Sequence, residues 1–300
     1  MRSHLRLLAI ACVILVSVSL RAVAADHPLY ALCGAYPPEM AALKKIFGVD
    51  VTKGWTRTEI DGVSFWRGTS GGKDLLLFQT GVSMINASYR LQIALDHFPV
   101  TGIFFSGVAG GIDPSLNVGD VVIPDNWAYH GEAAYLNDDG KGGFVRPEYL
   151  PPGKENFGMI FPTGTEVTRD GDTTPSRETE FPVDPAYLAA AKKARPTLPA
   201  MTKNGRPVAV VIGGTGVTAT VFLDNAAYRQ WIFRVWQAKC TDMESTALAH
   251  VAFANRKPIL IVRGLSDLAG GQHGKNPINQ TEFSVSEIAA RVLKGVLDQI

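Results

Sequence analysis

The chain of 300 residues is 46% hydrophobic and 19% charged, enough apolar material for one large core rather than two small ones. Its formal net charge is +1, with no basic stripe or charge run, which argues against nucleic acid and anionic membrane surfaces as partners. There is no internal repeat, and no Cys and His spacing that suggests a metal site, so neither a metal nor another cofactor is expected.

Residues 1–25 stand apart. Arg2 and Arg6 precede an apolar run from Leu7 to Leu20, and Ala22-Val23-Ala24 has the small-residue pattern of a cleavage site. The run is shorter than the ~20 residues a spanning helix needs, so it reads as a secretory signal peptide. A secreted or periplasmic domain of residues 26–300, with no membrane attachment after cleavage, is the expectation. Cys12 leaves with the signal. Cys33 and Cys240 remain, either as a disulfide or as two buried thiols.

Leu29 to Cys33 reads as a short apolar strand, followed by a turn at Gly34-Ala35-Tyr36 and a helix from Pro37 to about Phe47. Glu39 falls in the first turn of that helix, either complementing its dipole or serving as a base at a strand-to-helix turn. Val63–Arg67 and Leu75–Gln79 are two strands joined by a Gly-rich turn, and a helix runs from about Met84 to His97. Thr101 to Phe105 is a buried strand ending in the Gly-rich loop Ser106 to Gly111, which lets a ligand approach backbone N–H groups. Val118 to Pro124 is another strand.

From Trp127 to Arg206 the pattern is irregular, with one Ala-rich helix from Pro185 to Ala194. This stretch reads as an insertion on the site side of one domain. Pro207 to Gly213 is apolar and strand-like, and Asn225 to Gln237 is helical. Asp242 and Glu244 open an Ala-rich helix, with Asp242 as its N-cap. Ile259 to Val262 is a strand delivering Ser266 and Asp267, and a last helix runs from about Val285 to Leu297. His130 and His273 read as surface loop residues. Strand, loop and helix alternate, with near-continuous Val, Ile and Leu strands. The fold class is therefore α/β, a three-layer sandwich with a central mixed, mostly parallel sheet.

Seven segments occur in the order of a known family. They are G-A-Y-P-P-E (34–39), T-G-V-S-M-I-N-A (80–87), G-V-A-G-G (107–111) and N-V-G-D-V-V-I-P (117–124). V-T-A-T-V-F-L-D-N-A-A-Y-R-Q (217–230), D-M-E-S-T-A (242–247) and R-G-L-S-D-L-A-G-G (263–271) complete the set. The chain resembles the nucleoside phosphorylase/nucleosidase superfamily. Within it, the motifs are closest to methylthioadenosine/S-adenosylhomocysteine nucleosidases and to plant bark (vegetative) storage proteins.

The resemblance implies cleavage of the N-glycosidic bond of a purine nucleoside, a small-molecule substrate, through an oxocarbenium-like transition state. It implies Glu39 as the water-activating carboxylate, Glu244 as the holder of ribose hydroxyls, and Asp267 as the acid protonating the purine at N7. Met243, Val108, Ala109, Gly110, Ser266, Thr218, Ala219 and Phe222 fall on the substrate-contacting segments. A homodimer is the expected assembly. Phe222, Phe105, Tyr129 and Trp127 are candidates for stacking on the purine, because Val217 to Thr220 offers no aromatic residue. Related phosphorylases hold phosphate with Arg residues; here the first loop has none, the second position falls at Phe104-Phe105, and Val108 stands where a hydroxyl residue is common. Phosphate recognition relies on such donors, so water is the expected nucleophile. A phosphorylase, or a non-catalytic nucleoside-binding or storage protein on the same scaffold, is the alternative.

Overall fold

The computed structural model describes residues 27–300; the signal peptide expected at residues 1–25 lies outside them. A single large mixed sheet runs through the described chain. At its centre Leu29–Gly34 lies parallel to both Lys73–Gln79 and Val100–Gly111, and Val100–Gly111 lies parallel to Ile259–Asp267. Thr215–Thr218 is parallel to Asn126–Tyr129 and to Cys240–Asp242. Antiparallel pairing appears where Thr56–Ile60, Val63–Ser70 and Lys73–Gln79 form a meander, and where Cys240–Thr241 meets Gly110–Gly111.

The helices are α1 (Pro37–Phe47), α2 (Met84–His97), α3 (Pro185–Ala194), α4 (Ala226–Trp236), α5 (Ser245–Ala254) and α6 (Ile278–Leu297). Five of them pack in two groups, α1 and α3 against α6, and α2 against α5. Ile259–Asp267 is buried at every position, as a strand covered on both faces must be. The expected α/β class and mixed sheet are therefore found. No described helix is long and apolar enough to cross a membrane.

Several elements differ from their expected limits. The Gly-rich run 106–111 is strand, not loop, because Ile259–Asp267 pairs along one side of it and Cys240–Thr241 along part of the other. Ladder pairing overrides the weak strand propensity of glycine. Ser266 and Asp267 likewise end a strand. The helix α6 begins seven positions ahead of the expected start, at Ile278 rather than Val285. Within 127–206, Asn126–Tyr129 and Glu180–Pro182 pair with each other inside the main sheet. Short hairpin-like pairs, Ala133–Tyr135 with Ile160–Pro162 and Thr165–Val167 with Ser176–Glu178, fill the interval. Cys33 and Cys240 are both free thiols and both buried. His130 is not on the surface: it is completely buried at the end of Asn126–Tyr129, close to Tyr228 Oη at 3.4 Å and Thr241 Oγ1 at 3.3 Å. Burial lowers its pKa to about 4, so the ring is neutral. His273 is exposed as expected.

Candidate active site

The carboxyl ends of Leu29–Gly34, Val100–Gly111, Cys240–Asp242 and Ile259–Asp267 open onto one cavity. Its wall includes Glu39, Glu244, Met243, Val108, Ala109, Gly110, Ser266, Asp267 and Phe222, all residues expected from the sequence. Thr218 and Ala219 do not reach it. Both are buried behind the wall, where the Thr218 hydroxyl donates to Asp242 Oδ1 at 2.6 Å and accepts from the Thr246 amide at 3.0 Å. Their contribution is to position Asp242, not to contact a ligand.

Of the four aromatic candidates for stacking, Phe222 alone lines the cavity, at its half-exposed mouth. Phe105 and Trp127 are fully buried away from it, and Tyr129 faces other concavities. None of residues 127–206 contributes to the wall.

Below one end of the cavity lies a residue that the sequence reading did not assign. Arg263 is fully buried and meets three carboxylates: Asp242 through Nε at 2.7 Å, Glu244 through Nη2 at 3.1 Å, and Glu39 through Nη1 at 3.3 Å. Its guanidinium stacks 3.9 Å over the Phe105 ring. Asp242 therefore does more than cap α5. Its Oδ1 accepts from the amides of Glu244 and Ser245, as a cap would, while Oδ2 binds Arg263. The Gly107 backbone makes this convergence possible. It is paired with Arg263 across the ladder, and a Cβ there would overlap both Glu39 Oε1 and Arg263 Nη1.

Glu39 is nearly inaccessible rather than a surface dipole partner. Oε1 accepts from the Val108 amide at 2.8 Å, and Oε2 accepts from the Ala35 amide. Burial raises its pKa, and Arg263 with the two amides opposes the rise. Glu244 is held by the Ser83 amide at 2.8 Å on Oε1 and by Arg263 on Oε2. Ser83 has φ 80° and ψ 153°, a backbone region that a side chain disfavours. That unusual conformation is what turns its N–H toward Glu244.

Three carboxylates face one guanidinium, so the cluster is short of positive charge. Burial, with the fields of Asp242 and Glu39, pushes Glu244 up to about 8 against the pull of Arg263. The stability consequence has a definite sign. A carboxyl raised in the folded state contributes stability that is complete below its unfolded value, near 4.5, and is lost as pH rises through about 8. Glu244→Gln, which cannot ionise, is expected to flatten the decline in unfolding free energy between pH 5 and pH 8. Denaturant titrations at the two pH values check this; an unaltered slope in the variant removes Glu244 as its source.

Asp267 occupies the other end of the cavity. Its Oδ1 accepts from the Ala269 amide at 2.8 Å, and its Oδ2 accepts from Ser266 Oγ at 2.9 Å. Thr281 Oγ1 donates to the Ser266 carbonyl at 2.7 Å and ties this strand end to α6. Burial raises the Asp267 pKa, while those hydrogen bonds partly oppose it. A carboxyl held toward its protonated form is thus set apart from the Glu39–Glu244–Arg263 cluster: Asp267 pairs with Gly110 across the ladder, whereas Arg263 pairs with Gly107 and Glu39 accepts from the Val108 amide. Among the described residues no group of His, Cys, Asp and Glu is placed to hold a metal ion.

The profile of the phosphorylase superfamily matches residues 29–300. The chain belongs to the phosphorylase superfamily. It is 28% identical over 269 residues to the 5'-methylthioadenosine/S-adenosylhomocysteine nucleosidase of Mycobacterium tuberculosis, covering 88% of this chain and 94% of the relative. It is 26% identical over 222 residues to bark storage protein B of Populus deltoides, covering 71% and 70%. Among solved structures, the 5'-methylthioadenosine/S-adenosylhomocysteine nucleosidase of Helicobacter pylori with butyl-thio-DADMe-Immucillin-A superposes with a TM-score of 0.68. That likeness covers 92% of this chain and 100% of the other at 17% identity, and it concerns the fold. Both relatives named by sequence similarity belong to the two groups that the ordered motifs resembled.

Proposed function

We propose that this phosphorylase-superfamily chain is an exported purine nucleosidase that hydrolyses the N-glycosidic bond of adenosine-like nucleosides. The observation that carries the reading is the division of one cavity into two unlike ends. A carboxyl raised by burial, Asp267, stands at one end, and a Glu39–Glu244 pair anchored by Arg263 stands at the other.

The reaction needs two proton transfers on opposite sides of the bond being broken. Asp267 gives its proton to N7 of the purine, so the base leaves neutral as the bond from N9 to the anomeric carbon breaks. Water adds its oxygen to that carbon and gives a proton to Glu39. Glu244 holds the ribose hydroxyls where positive charge develops on the sugar. The products are free purine and free sugar, and the proton gained by Glu39 is returned to Asp267 through solvent. A raised Glu39 pKa suits a base working near neutral pH.

Water rather than phosphate is favoured by the wall of the cavity. None of the described residues lining it is Lys or Arg, and Arg263 is inaccessible and committed to three carboxylates. Phosphate recognition would need such donors. A purely storage role, suggested by the Populus deltoides relative, gives no reason for a carboxyl raised by burial, Asp267, on the cavity wall. Export rests on Arg2, Arg6, Leu7 to Leu20 and Ala22-Val23-Ala24. The homodimer remains the proposed assembly.

The test is to incubate the mature protein with adenosine, inosine and 5'-methylthioadenosine, with and without phosphate, and to identify the sugar released. Free sugar in both conditions is expected. A sugar 1-phosphate formed only with phosphate would replace the hydrolase by a phosphorylase. Tight nucleoside binding without turnover would favour the storage or binding reading.

A further inference from the structure

Tyr36 has no part in the proton transfers proposed above, yet it lines the cavity at the turn that leads to Glu39. It is half-buried, and its hydroxyl donates to Glu282 Oε2 at 2.9 Å, reaching across to α6. Burial first, then the negative fields of Glu39 and Glu282, hold the phenol well above its usual pKa, so it remains protonated. With its single proton committed to Glu282, the phenol oxygen offers only acceptor lone pairs to a ligand.

The chain itself places it in the cavity. Tyr36 caps the helix that carries Glu39, and the amide of its neighbour Ala35 donates to Glu39 Oε2. Asp267 ends a different strand, beside Gly110. Tyr36 therefore belongs to the end that holds Glu39 and Glu244.

We infer that Tyr36, fixed by Glu282, selects purine nucleosides with a free 5'-hydroxyl over those carrying a 5'-thioether. The inference rests on the purine nucleosidase reading, in which the Glu39–Glu244 end takes the sugar. A ribose with its anomeric carbon at Glu39 and its 2'- and 3'-hydroxyls at Glu244 has one hydroxyl left, on C5'. That hydroxyl can donate to the phenol oxygen, which already donates to a carboxylate, and each bond in such a chain polarises the next. A thioether sulfur has no proton to give. It leaves the phenol oxygen facing the ligand without a partner, and sites built around a substrate hydroxyl discriminate against analogues that lack it. Val82 and Ile278, apolar residues on the same wall, would by themselves favour the thioether, so the preference rests on the Tyr36 hydrogen bond. On this point the chain departs from the relatives named for a thioether nucleoside.

The experiment compares kcat/KM for adenosine and for 5'-methylthioadenosine in the wild type, Tyr36→Phe and Glu282→Gln, with unfolding curves to verify that the variants remain folded. The wild-type ratio is expected to favour adenosine by about 10-fold or more, and Tyr36→Phe to bring it close to one, because a single hydrogen bond is removed from one substrate only. Glu282→Gln is expected to lower the ratio less, since the phenol keeps a partner. A wild-type preference for the thioether, or a ratio that Tyr36→Phe leaves unmoved, overturns the inference while the nucleosidase reading stands. Release of free purine from neither substrate overturns that reading, and the inference with it.

Discussion

Arg263→Leu is expected to destabilise the protein by about 3–5 kcal/mol at neutral pH, a large share of the 5–15 kcal/mol that holds a typical domain together. The cause is not the loss of one attractive pair. Arg263 is the cation shared by Glu39, Asp242 and Glu244, and all three are almost inaccessible to solvent. Without it, up to three carboxylates are left buried with no compensating charge. Leucine would still pack against Phe105, so the core itself is not emptied. Guanidinium denaturation at pH 7 measures the effect, and a loss smaller than about 1 kcal/mol would contradict the three-carboxylate account.

Two companions separate charge from packing. The defect should shrink at acidic pH, where Glu39 and Glu244, both already raised by burial, take up protons and the shortage of positive charge is relieved. Adding Asp242→Leu to Arg263→Leu should recover part of the loss, because replacing both partners of a buried pair is less costly than removing one. Turnover should stay low in the double variant, since Glu39 and Glu244 would still lack the guanidinium that sets their positions and protonation.

The sequence made Glu39, Glu244 and Asp267 legible for a physical reason. Each follows an apolar strand or sits at the start of a helix, where an α/β fold exposes polar side chains at the carboxyl edge of its sheet. Their convergence, across more than two hundred residues of chain, follows from the parallel pairing of Leu29–Gly34 with Val100–Gly111 and of that strand with Ile259–Asp267. Arg263 opens the R-G-L-S-D-L-A-G-G motif, and the motif alone assigns it no role. The available signal was its position directly after Ile259 to Val262: a guanidinium in a strand buried on both faces requires partners. Thr218 and Ala219 show the opposite error. Motif proximity put them against a ligand, whereas the parallel register turns Thr218 toward Asp242. His130 reads as a surface loop residue because nothing in a turn-rich neighbourhood signals that Thr241 and Tyr228 close over it.

Asp267→Asn is expected to reduce kcat by roughly a thousandfold, within the 10²–10⁴ that a positioned general acid supplies, while leaving KM within a few-fold of wild type. Asparagine keeps the size of the side chain and can still accept from the Ala269 amide and meet Ser266, so the strand end should be preserved. What it lacks is a proton to transfer to the leaving purine. The pH profile gives a second readout. Because burial raises the Asp267 pKa, the wild-type protein keeps its acid protonated further up the pH scale than an exposed aspartate would, and kcat should fall as pH rises through that raised value. The variant should lose this alkaline limb and retain only the acidic one set by Glu39, which must be ionised to accept the proton of water. Substrates whose base leaves without protonation supply the last control: a nucleoside analogue with an acidic, self-sufficient leaving group should be hydrolysed almost as fast by Asp267→Asn as by wild type. Equal losses on both kinds of substrate would mean that Asp267 positions the ligand and that the proton comes from elsewhere.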